Sequence, residues 1–102
     1  MMEENEKIVL SGEEAVAILK DVELMLISLH RIGSAYTDKP KSDYASETCR
    51  FIDEWKITHK LADIRSLISE KFDTSLGDDD MDDLERAMED IQCWSKKGDV
   101  PD

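Results

Sequence analysis

The sequence predicts an all-α fold, a small three- to four-helix bundle built on a long helical hairpin. Three observations lead there. The 102 residues include only four Gly and two Pro, among many helix-favouring Glu, Lys, Leu and Ala. Apolar residues recur three and four apart over long stretches, which is the period of an amphipathic helix. No stretch alternates apolar and polar residues at period two, so no sheet is expected. The chain is 40% apolar and 37% charged, which is enough apolar material for one core beneath a strongly charged surface. Its length suits one domain, and residues 1–102 read as a single helical domain.

Residues 1–10 read as a loose acidic leader, in which Ile8, Val9 and Leu10 form a short extended piece that packs on the domain. Ser11 with Glu14 three residues on is a capping box, so the first helix starts there. It should run over 12–35. Ala15, Ile18, Leu19, Val22, Met25, Leu26, Leu29 and Ile32 form its main stripe, and Val16, Leu24 and Ile27 widen it. A helix this apolar either touches neighbours on two sides or forms part of a dimer interface. Pro40 stops it by pushing Lys39 out of the helical region, and Ser42 caps the next segment.

The second helix should run over 43–72. Its stripe changes phase between Phe51, Ile52 and Trp55 and the later Ile57, Leu61, Ile64 and Ile68. That rotation predicts a bend near Thr58-His59, or two shorter helices. A third helix should span 79–95, with Met81, Leu84, Met88, Ile91 and Trp94 or Ser95 on one side. Residues 98–102, after Gly98 and around Pro101, read as a frayed tail.

Net charge is −12, and it lies at the ends. Residues 1–14 carry −4, residues 15–72 are neutral, and residues 73–102 carry −8. A concentrated negative field selects basic partners and disfavours nucleic acid, whose phosphates need clustered Lys and Arg. Asp78-Asp79-Asp80-Met81-Asp82-Asp83 places five acids in six positions. One or two would serve to cap a helix; five crowd like charge, which leaves room for a docking role. The expected partner-binding surface is Asp78, Asp79, Asp80, Asp82, Asp83, Glu85, Glu89 and Asp90, with Trp94 as an aromatic anchor.

Other chemistry finds little footing. An EF-hand counted from Asp73 fails, because Gly77 falls fifth and Leu84 twelfth. His30 and His59 lie in no metal-binding frame, although His59 and Asp63 share a helical face, so no metal or cofactor is expected. Cys49 and Cys93 read as buried, reduced small hydrophobes. No nucleophile elbow, phosphate loop or dinucleotide motif occurs, and the chain reads as a non-enzyme. The chain opens on acids, not on a basic then apolar signal, and has no membrane-spanning apolar run, so the expected location is the cytoplasm.

The function expected is that of a small acidic binding module. It would be an inhibitor of immunity or antitoxin type that covers a basic, nuclease-like toxin with its carboxylate-rich third helix. In size, charge and expected helicity the chain resembles immunity proteins, although no family motif carries the likeness. The alternative is an oligomeric scaffold, chaperone or adaptor subunit that uses the apolar face of the first helix, for example as a homodimer.

Overall fold

The structure, a computed structural model, describes residues 1–97. Within them every regular element is helical. The chain divides into two compact units: Ile8–Lys71, and Met1–Lys7 together with the chain from Phe72 onward.

The first unit is a three-helix bundle of α1 (Gly12–Ala35), α2 (Lys41–Glu54) and α3 (Ile57–Ser69), each packed against the other two. α1 begins as its sequence dictates. The Ser11 hydroxyl accepts from the Glu14 N–H at 3.0 Å, and the Glu14 carboxylate accepts from the Ser11 N–H at 2.9 Å. Tyr36 closes the helix, its N–H donating to the Ile32 carbonyl. α2 starts one residue after Pro40, which occupies the N-cap position without a side-chain bond; Ser42, expected as the cap, lies inside the helix. The Asp43 and Tyr44 N–H groups donate to the Pro40 carbonyl at 3.0 and 3.3 Å, so the first turn closes on backbone alone.

The expected long second helix is two helices, and the break falls at Trp55–Lys56, ahead of Thr58-His59. Lys56 adopts the left-handed conformation, with φ 53° and ψ 47°. One such residue turns the chain without a loop, so that Phe51 of the first phase and Ile57 and Ile64 of the second reach the core, while Ile52, Trp55 and Leu61 stay exposed. The Lys60 ammonium donates to the Trp55 carbonyl at 3.1 Å and so caps α2.

The core is small. Met25, Phe51 and Ile57, one from each helix, are buried, and Leu24, Ile32 and Ile64 pack against them. The Phe51 and Trp55 rings sit 5.7 Å apart in a tilted pair. At the edge Lys71 and Glu14 form an ion pair at 2.5 Å, tying the end of the unit to its start. The wide apolar face read from the sequence is thus divided. Leu24, Met25 and Ile32 face inward, whereas Leu19, Val22, Leu26 and Leu29 remain substantially exposed.

The second unit contains a 3₁₀ turn, Glu3–Asn5, and one short helix, α4 (Asp83–Met88). The third helix expected over 79–95 is therefore confined to six residues. Two causes are visible. Asp80 is left-handed, with φ 60°, and Asp82 takes the N-cap, so the helix cannot begin before Asp83. At the other end Glu89 and Asp90 place negative charge on the negative pole of the dipole. Met88, Ile91 and Trp94 are exposed, so the packing that would sustain further turns is missing. The expected frayed tail, 98–102, lies outside the described residues.

Candidate functional site

The leader expected to be loose is anchored. Asn5 is only 4% exposed and its amide is fully used. Its Nδ2 donates to the Asp73 carbonyl at 2.9 Å and to Asp83 Oδ2 at 2.8 Å, and its Oδ1 accepts from the Asp73 N–H at 2.7 Å. The Met2 N–H donates to the same Asp83 oxygen at 2.7 Å. Asp83, 5% exposed, is thereby the hub that joins the amino-terminal residues to α4. Asparagine suits the place because it alone offers two donors and an acceptor in a short planar group.

Around this clasp the acidic cluster is partly occupied. Arg86 grips Asp79 with two bonds, Nε to Oδ2 at 2.9 Å and Nη2 to Oδ1 at 2.7 Å. Its Nη1 donates to Asp83 at 2.9 Å, and its Nη2 also reaches the Met81 carbonyl. This fork holds the Asp79 carboxyl at a pKa of about 2, below its ordinary value. The Asp83 carboxyl is lowered chiefly by Asn5, then by the Met2 N–H and by Arg86. Asp73 is lowered by Ser75, first by its side chain and then by the N–H that donates to Asp73 at 2.8 Å. Asp82 and Glu85 form a second capping box, with the Glu85 N–H donating to Asp82 at 2.7 Å.

The residues expected to bind a partner therefore fall into two groups. Asp79, Asp82 and Asp83 hold the unit together. Asp78, Asp80, Glu89 and Asp90 are exposed, and their carboxylates make no hydrogen bond or ion pair among the described residues, while Glu85 is exposed although its carboxylate accepts from the Asp82 N–H. Trp94 lies beyond the helix in the non-helical 91–97 segment and is 90% exposed. Over the described residues this unit carries twelve acids against four bases, a net −8, and includes Glu3, Glu4 and Glu6 from the opposite end of the chain. Sequence reasoning missed Asn5, since one Asn in an acidic leader carries no pattern.

The three-helix unit has a different surface. A groove of about 300 Å³ beside Trp55 is lined by Arg31 and Arg50 and by Glu47 and Glu54, so it has no net charge. Cys49 and Cys93, expected to be buried, are exposed free thiols: Cys49 lies on the outer side of α2 and Cys93 in the 91–97 segment. Among the described residues no three His, Cys, Asp or Glu converge on a point that would hold a metal ion, and no helix is long and apolar enough to cross a membrane. No protein family, no curated protein and no solved structure matches the chain.

Proposed function

We propose that the protein is a binding module without catalytic activity, an inhibitor of immunity or antitoxin type that docks on a basic, nuclease-like protein. One observation carries the reading. The Asn5 clasp gathers the acidic residues of both chain ends into one unit with a net charge of −8 over its described residues. A field concentrated in this way accelerates encounter with a basic surface and repels nucleic acid. The contact residues are those with carboxylates open to solvent, Asp78, Asp80, Glu85, Glu89 and Asp90, with exposed Trp94 in the segment after α4 as an apolar anchor. Exposed free thiols suit a reducing compartment such as the cytoplasm.

The test is affinity capture from the source cell at low and high salt, using the wild type and a variant carrying Asp78→Lys, Asp80→Asn, Glu89→Lys and Asp90→Lys. None of these carboxylates holds the unit together, and asparagine tolerates the left-handed backbone at position 80. A basic protein held at low salt, shed at high salt and not held by the variant is the expected result. Equal capture by the variant refutes the acidic-surface mechanism.

A second reading, an oligomeric scaffold, chaperone or adaptor subunit, draws on another surface. It is favoured by the uncovered apolar side chains on the outer face of α1.

A further inference from the structure

The groove of about 300 Å³ runs between α1 and α2 and is backed by the core of the three-helix unit. Two of its lining residues, Ile32 and the buried Phe51, belong to the core packing and give it an apolar base. Trp55, at the end of α2, also lines it. The Trp55 ring packs against Phe51 on one side, yet the residue is 51% exposed, so aromatic surface is left open.

The polar groups of the groove divide into those already engaged and those that are free. Its carboxylates are engaged. Glu47 accepts from the Tyr36 hydroxyl at 3.1 Å and from Arg50 at 3.0 Å, and Glu54 lies 4.0 Å from the same Arg50. Arg50 is held by both acids and has little left to offer a ligand. The Arg31 guanidinium, the Ser28 hydroxyl and the Trp55 indole N–H line the same groove and make no hydrogen bond or ion pair among the described residues. Arginine and indole only donate, and a serine hydroxyl can do so. The free polar chemistry here is therefore that of donors, one of them a full positive charge.

We propose that this groove binds a small aromatic carboxylate, its ring laid against Trp55 and its carboxylate on Arg31 and Ser28. The site lies wholly within the three-helix unit, so the proposal is independent of the acidic-surface reading. A planar guanidinium without a partner takes a carboxylate with two parallel bonds. A cationic ligand would instead have to displace Arg50 from Glu47 and Glu54. The open indole face selects an aromatic ring over an aliphatic chain, by offset or edge-on contact.

Size selects a small molecule. The groove stands at the lower end of the range for ligand pockets, an apolar base with a few polar groups above it. A protein partner would spread over about 800 Å² on each side, far beyond the groove. The four lining charges cancel, so no long-range field draws the anion in, and affinity rests on contact alone. A ligand of one or two rings should then bind with a dissociation constant between about 0.1 and 1 mM.

The test is NMR titration of the full chain with naphthoate, to about tenfold the expected dissociation constant. Trp94→Phe leaves Trp55 as the only tryptophan and identifies its indole signal. The Trp55 indole N–H and the Arg31 Nε–H should shift together and saturate. Naphthamide, the same ring without the charge, should bind at least about tenfold more weakly. Hexanoate, the charge without the ring, should leave the Trp55 signal in place.

Arg31→Gln should lower the affinity for naphthoate to that for naphthamide. Arg31 is exposed and holds nothing in place, so the fold should persist, as circular dichroism checks. Should the variant not fold, the three probes on the wild type decide the matter alone. No saturable shift, equal affinity for naphthoate and naphthamide, or an Arg31→Gln protein that binds like the wild type overturns the proposal. Saturable shifts elsewhere with the Trp55 signal unmoved also overturn it, because they put the carboxylate on another cation.

Discussion

Replacing Asn5 with alanine removes the side chain that joins the amino-terminal residues to α4. Three hydrogen bonds go with it: two donated, to the Asp73 carbonyl and Asp83, and one accepted from the Asp73 N–H. The site is almost closed to water, so the abandoned groups are not rehydrated without opening the structure. At a net value of about 1 kcal/mol for each bond, the expected loss is about 2–4 kcal/mol. Native-state hydrogen exchange reads this directly. The Asp73 amide, which donates to Asn5 at 2.7 Å, should exchange roughly 30- to 700-fold faster. Amides within α1, α2 and α3 serve as the internal control and should keep their protection.

Asn5→Asp separates hydrogen bonding from volume. It has the same size but turns a carboxylate toward Asp83 and the Asp73 carbonyl. Its loss at neutral pH should exceed that of alanine and be partly recovered on mild acidification. Unchanged protection at Asp73 in Asn5→Ala would show that the clasp does not hold the unit and would refute this reasoning.

Other expectations concern backbone and pH. Lys56 has no side-chain reason to be left-handed, so Lys56→Gly should raise the urea midpoint of the three-helix unit by the equivalent of about 0.5–1 kcal/mol; a lowered midpoint would contradict this. The Asp79, Asp83 and Asp73 carboxyls all titrate below their ordinary range when folded. A depressed folded pKa contributes stability that is present above the ordinary carboxyl value and lost as pH falls through the folded one. α4 should therefore persist down to about pH 4 and melt as the pH approaches 2, followed by its amide signals. An α4 intact below pH 2 would show that these bonds are dispensable.

How far the sequence could be read follows the range of the interactions. α1 was legible at both ends, because Ser11 and Glu14 cap it locally and its periodicity runs unbroken to Ala35. The split of the second helix was legible from the change of stripe phase, but its position was not, since a lysine gives no signal for a left-handed residue. The Asp82–Glu85 box was as visible in the sequence as the Ser11–Glu14 box. It was submerged in a run of acids whose members looked alike until Arg86 and Asn5 distinguished them. The 81–95 periodicity was real, but six residues of helix formed where fourteen or more would have needed a surface to lie on. Asn5 was out of reach, because its partners lie 68 and 78 residues away.

That separation also sets an order of events during synthesis. The Ile8–Lys71 bundle holds all of its own partners by the time Lys71 has left the ribosome, and it can fold as the chain grows. Asn5 cannot complete its bonds: Asp73 is made 68 residues later and Asp83 78 residues later, the latter after about 4–16 s at roughly 5–20 residues per second. Through that interval the first residues of the nascent chain are an acidic strand without a home. Shortening the chain before residue 73 would leave them in that condition for the life of the protein.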